Sequence, residues 1–187
     1  AELTAVAPRI ADYADYTREL LVLATSADAA GRTLAGALYR RSAEFYMLPD
    51  DPRKDPARLA FIESMRTVYG VDAASKERIP YRDGELGAYR IKPDDPIGTV
   101  VIFGGFDSYM EELFATRAYF VAAGFDVILF EGPGQGSVLE ETQRPMTHEW
   151  APVVSAVLDH YHLDGVTLMG YSLGGCLAVR AAVGEPR

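Results

Sequence analysis

Cysteine is nearly absent from this chain. Cys176 is the only one in 187 residues, which excludes an internal disulfide and any zinc site built from several thiolates, and fits a reducing compartment. Basic residues are also in deficit. With 18 Lys and Arg against 27 Asp and Glu the net charge is -9, a balance that repels phosphate backbones, so no nucleic-acid partner is expected. No stretch approaches the roughly eighteen consecutive apolar residues of a membrane-spanning helix, so no membrane partner is expected either and the expected location is cytoplasmic. Histidine is scarce: His148, His160 and His162 are the only three.

What is present suffices for a folded core, since 49% of the residues are hydrophobic. The first 75 residues read as helices. Ile10, Tyr13, Ala14, Thr17, Leu20, Leu21 and Ala24 recur at the spacing of one buried helical face. A second helix is predicted from about Arg32 to Tyr46, with Leu34, Leu38, Phe45 and Tyr46 as its apolar contacts. Pro49 to Pro56 reads as a loop, followed by a third helix through Leu59, Ile62, Met65 and Tyr69 that ends near Gly70.

From residue 76 to 187 the pattern changes to strands alternating with helices. Glu77–Arg82 and Glu85–Lys92 are predicted as a hairpin turning at Asp83 and Gly84. Thr99–Phe103 is a continuous apolar run, the mark of a strand buried on both faces. Ser108 and Glu111 fit a capping box that opens a helix through Leu113, Phe114, Phe120 and Val121. Phe125–Phe130 is the next strand. A helix from about Thr147 places Trp150, Val153, Val154, Val157, Leu158 and Tyr161 on one face, and Val166–Met169 is the strand after it. Strand, helix, strand, helix, strand in this order implies a mostly parallel, doubly wound α/β sheet with ligands at the carboxyl ends of its strands.

Three glycine-containing blocks sit at those strand ends. Gly170, Tyr171, Ser172, Leu173 and Gly174 form G-x-S-x-G between the strand VTLM and an Ala- and Leu-rich helix. In that context the serine occupies a strained turn, and the flanking glycines leave room for the neighbouring strand and helix. Ser172 is therefore the candidate nucleophile, with the backbone N–H of Leu173 as one oxyanion donor. The glycines of the loop FGGFDSYMEE, after the first buried strand, let its backbone come close to a substrate oxygen, so Gly105 and Phe106 are the candidates for the second donor. The third block, Glu131 to Gly136, is neither a dinucleotide fingerprint nor a phosphate-binding loop with its lysine. It reads as a rigid turn at the pocket rim, with Glu131 as a structural carboxylate that ties down loop N–H groups rather than as a catalytic acid.

The blocks GGFDSYMEE, GPGQG and GYSLGG, in this order, resemble the α/β-hydrolase superfamily. Within it they resemble the group of 2,6-dihydroxypseudooxynicotine hydrolase, the fungal polyketide-shortening hydrolases and the FrsA-like esterases. The resemblance implies the α/β-hydrolase fold, with residues 1–75 as an N-terminal helical cap segment and residues 76–187 as the first part of the hydrolase core. It also implies no metal or organic cofactor, and hydrolysis of a C–C, ester or amide bond next to a carbonyl in a small substrate. Phe103 stands where many hydrolases carry His, and Glu131 where Asp is commoner. A homodimer is left open.

In this superfamily the triad runs Ser, then Asp or Glu, then His. Only fifteen residues follow Ser172, with Glu185 as the one carboxylate and no histidine. The catalytic acid and His are therefore expected beyond Arg187, and the chain is expected to be completed by the C-terminal half of the fold. His148, His160 and His162 read as solvated or core-edge residues, and Cys176 as a packed small hydrophobe. Two readings compete with the hydrolase: an acyltransferase or peptidase using the same parts, and a catalytically inactive binding protein on this fold.

Overall fold

The computed structural model describes residues 1–187, which divide into two compact units, Ala1–Val71 and Asp72–Arg187. No helix is long and apolar enough to cross a membrane.

The first unit is helical: α1 (Glu2–Val6), α2 (Tyr13–Ala29), α3 (Thr33–Phe45) and α4 (Lys54–Tyr69). Asp12 caps α2 by accepting the Asp15 N–H at 2.8 Å, and α4 ends on Gly70 in the left-handed conformation, φ 60°. The buried side of α2 is Thr17, Leu20, Leu23, Ala24 and Ala27, whereas Tyr13 and Ala14 at the start of the expected stripe are exposed.

The expectation for α3 is corrected more deeply. Leu34, Leu38, Phe45 and Tyr46 are all exposed, and the buried face is Gly36, Ala37, Arg41, Ala43 and Glu44. Small residues let the backbone of α3 approach its neighbours, while the buried charges are paired: Glu44 meets Arg41 at 2.6 Å and Lys54 at 2.5 Å. In α4 the expected Ile62 and Met65 are buried, together with Ala57, Arg58 and Phe61, whereas Leu59 is exposed. That helix begins at Lys54, inside the expected loop, because Pro56 falls in its first turn where no helical N–H is needed.

The second unit is built on one five-stranded sheet: β1 (Glu77–Tyr81), β2 (Gly84–Ile91), β3 (Thr99–Phe103), β4 (Asp126–Glu131) and β5 (Thr167–Gly170). The spatial order is β1-β2-β4-β3-β5. Strands β3, β4 and β5 are mutually parallel, and β1 and β2 join as an antiparallel hairpin on the β4 side. The pair Tyr81↔Gly84 makes Arg82 and Asp83 the two loop residues, one position earlier than expected, with Arg82 at φ 55°.

Alternation along the strands separates the two faces. Val101, Phe103, Ile128 and Phe130 join Trp150, Val153, Val154, Val157 and Leu158 of α7 (Ala151–Tyr161, with Trp150 at its N-cap) and Leu177 and Ala181 of α8 (Leu173–Gly184) in one core. Within it the rings of Phe103, Phe130 and Trp150 have centroids 5.0–6.2 Å apart. On the opposite face Tyr89 of β2 meets Phe114 of α5 (Phe114–Ala122) edge to face at 5.3 Å.

Two local expectations change here. A 3₁₀ turn, Met110–Leu113, precedes α5, and its cap is Glu112 accepting the Tyr109 N–H at 3.1 Å. Ser108 and Glu111 do not form a capping box: Glu111 is buried and accepts a hydrogen bond from the Tyr89 hydroxyl at 3.2 Å. A helix that the sequence pattern does not announce, α6 (Gly136–Thr142), follows the GPGQ turn.

Candidate active site

The three glycine blocks converge because of strand register. Phe103, the last residue of β3, lies opposite Phe130 on one side and Gly170 on the other. The loops that leave β3, β4 and β5 therefore start side by side at one edge of the sheet, where open α/β sheets bind ligands. A hydrogen bond from the Tyr171 N–H to the Phe103 carbonyl, at 3.1 Å, carries this alignment into the turn itself.

Ser172 is the N-cap of α8 and has φ 55° and ψ -125°. A side-chain-bearing residue is costly there, by about 1–3 kcal/mol, and persists only where surrounding structure enforces it. The enforcing contacts involve glycine. A Cβ on Gly170 would lie 2.0 Å from the Gly174 carbonyl oxygen, and one on Gly174 would lie 2.4 Å from the Gly104 carbonyl oxygen. A Cβ on Gly105 would lie 2.8 Å from the Leu173 nitrogen and 3.1 Å from the Ser172 Cβ. The β3 loop thus lies backbone-to-backbone against the serine turn. The Ser172 side chain is exposed, and Leu173, as the first residue of α8, has an N–H outside the helical ladder.

The two candidate donors of the β3 loop differ. The Gly105 N–H points to the Ser108 hydroxyl oxygen at 3.4 Å. No hydrogen bond within the chain engages the Phe106 N–H, and the Phe106 side chain is exposed.

The turn after β4 holds this loop at both ends. Glu131, fully enclosed, accepts the Met110 N–H at 2.9 Å and the Ser137 N–H at 3.1 Å, one on each carboxylate oxygen. Burial, and secondarily the negative charge of Glu111, push its carboxyl well above the ordinary range. Gln135, 1% exposed, accepts the Gly132 N–H at 2.9 Å and donates from Nε2 to the carbonyls of Gly104 at 2.6 Å and Gly105 at 3.3 Å. Sequence reasoning passes over Gln135. Its one signal is a long polar residue between two glycines in a turn already assigned to the pocket rim.

The remaining candidates lie elsewhere. His160 contacts Glu77 at 3.2 Å, and His162 caps the end of α7, before β5 begins and so at the opposite end of that strand from Ser172. The His148 carbonyl accepts from Arg180, two turns into α8. No hydrogen bond joins any histidine to Ser172. Glu185 is bonded to Ser155 and Arg187, and its carboxyl is lowered to about 2, first by the Arg187 guanidinium. Cys176 is exposed rather than packed, because its position on α8 faces away from the sheet.

Comparison with known proteins bears on the fold. No protein-family model matches the chain. It is 33% identical over 206 residues to the hydrolase acrC of Aspergillus aculeatus, a match covering 90% of this chain and 47% of that protein. The crystal structure of 2,6-dihydroxy-pseudo-oxynicotine hydrolase superposes with a TM-score of 0.67 at 25% identity, covering 91% of this chain and 54% of that one. AbyA5 shares the fold at a TM-score of 0.76 and 22% identity, over 98% of this chain and 54% of its own. The chain therefore spans about half the length of the proteins it matches. With a mixed sheet of that fold, a strained serine turn after its edge strand and fungal hydrolases among its relatives, the chain belongs to the α/β-hydrolase superfamily and carries part of the fold.

Proposed function

We propose that this chain supplies the nucleophile and oxyanion hole of a serine hydrolase acting on a small carbonyl substrate. The observation that carries the reading is the backbone of Ser172, held at φ 55° and ψ -125° against the Gly104–Gly105 loop. A turn that strained projects Oγ out of the strand line, beside two kinds of backbone donor.

In the proposed reaction the Ser172 hydroxyl attacks the carbonyl carbon while its proton passes to a histidine base. The carbonyl π pair becomes an oxyanion. Leu173 N–H donates to it from one side, and Phe106 N–H from the other, since the Gly105 N–H is already directed at Ser108. Collapse of the intermediate expels the leaving group, which takes up the proton, and leaves an acyl ester on Ser172. Water then cleaves that ester.

The base and its carboxylate partner are assigned to residues beyond Arg187, because the three histidines here have other surroundings. The helical unit is assigned to the cap segment of this group. The bond cleaved is proposed to be a C–C, ester or amide bond beside the carbonyl; what the hydrolase relatives support is hydrolysis itself.

The test is labelling of the full-length protein with a fluorophosphonate, read by intact mass. One adduct per chain is expected, and none on Ser172→Ala. A folded wild type that stays unlabelled would instead support an inert binding protein on this fold.

A further inference from the structure

We infer that Gln135 is a positioning residue for the oxyanion hole, an inference that rests on the serine mechanism proposed above. Planarity of the peptide group supplies the link. The Gly105 carbonyl and the Phe106 N–H belong to one trans peptide, so they point in opposite directions, and fixing one fixes the other. Gln135 Nε2 holds the Gly105 carbonyl at 3.3 Å and the Gly104 carbonyl at 2.6 Å. The side-chain amide therefore sets two successive peptide planes, and the second of them carries the proposed donor.

Glycine makes such a clamp necessary. Gly104 and Gly105 are the two residues of the loop with the least intrinsic restraint on φ and ψ, and without an external tie their peptide planes would turn. A donor that samples several directions loses the advantage of an oxyanion hole, which is that no reorganisation is needed when charge develops.

Gln135 is itself immobilised. It is 1% exposed, and its Oε1 accepts the Gly132 N–H at 2.9 Å, so the amide nitrogen is committed to the loop and the oxygen to its own turn. Glu131 holds the far end of the same loop through the Met110 N–H. The two side chains thus have separate roles, Glu131 anchoring the loop and Gln135 orienting the peptide that faces the serine.

The amide is specific for this role. A carboxylate of the same shape keeps the acceptor for Gly132 but presents lone pairs to two carbonyl oxygens, and a thioether of the same length offers no donor.

The experiment compares Gln135→Glu and Gln135→Met with wild type in the full-length protein. Fluorophosphonate labelling gives both the rate constant and the final stoichiometry, and kcat and KM are measured on a p-nitrophenyl ester. A displaced oxyanion donor lowers the labelling rate constant and kcat by about 10²-fold at full final stoichiometry, with KM little changed. A merely structural role leaves a smaller labelled fraction that reacts at the wild-type rate. That result, or wild-type rate constants in both variants, would overturn the inference. If the wild type itself fails to label, the serine mechanism falls and the role of Gln135 falls with it, whereas a labelling wild type isolates the question to Gln135.

Discussion

At Ser172 the cost of a positive φ is met by surrounding residues without side chains, and the glycines are not equivalent. A methyl group added at Gly170 or Gly174 would lie 2.0 or 2.4 Å from a backbone carbonyl oxygen, contacts that no rotamer change relieves. Gly170→Ala and Gly174→Ala are each expected to destabilise the protein by about 3 kcal/mol through overpacking, and to abolish labelling of Ser172. Gly175 makes the opposite case. Its nearest neighbour would be the Gly170 oxygen at 3.6 Å, an ordinary contact, so Gly175→Ala is expected to be neutral or to stabilise α8 by up to about 1 kcal/mol. Urea denaturation midpoints of the three variants check this contrast. Equal losses at all three positions would mean that the helix, not the turn, requires glycine.

At the scale of elements, sequence is most informative where burial is complete. Thr99–Phe103 has the same bounds in sequence and structure because β3 lies between two strands with an apolar residue at nearly every position, so only a central strand satisfies it. Phe103 packs on both Phe130 and Trp150 at that strand's carboxyl end. Phe103→Ala is expected to cost about 4 kcal/mol in denaturant unfolding, with the labelling rate falling as β3 loosens beside the serine turn. A loss below about 1 kcal/mol would show that the ring contributes little to the core. Sequence is least informative where small or charged residues do the packing. In α3 the buried face is Gly36, Ala37 and Ala43 with the paired Arg41 and Glu44, a pattern that hydrophobicity alone ranks below the exposed Leu34 and Leu38. In α6 seven residues beginning with glycine are too few to show a helical period.

At the scale of the whole molecule, the buried Glu131 couples stability to pH. Its carboxyl is raised above the ordinary value of 4.5, by burial first and then by Glu111, with Lys76 opposing. The native state therefore binds a proton that the unfolded chain releases above that value. Stability from this group is complete below pH 4.5 and falls as pH rises toward the raised value. Urea titrations from about pH 5 to about pH 8 are expected to show this decline, and Glu111→Gln, which removes the neighbouring charge, is expected to flatten it. A variant with the wild-type slope would separate the two carboxyls.

The sequence by itself determined the chemistry-bearing pieces: the G-x-S-x-G turn, the β3 loop with its glycines, and the parallel order of the strands that carry them. Each follows from a local pattern, an apolar run followed by residues that permit a sharp turn. Only the tertiary structure decided which of these pieces touch. The register that sets Phe103 beside both Phe130 and Gly170 brings Gly105 against Ser172 and lets Gln135 reach two carbonyls about thirty residues away. Those contacts join segments distant in the chain, and their geometry depends on strand alignment and packing that no local pattern encodes.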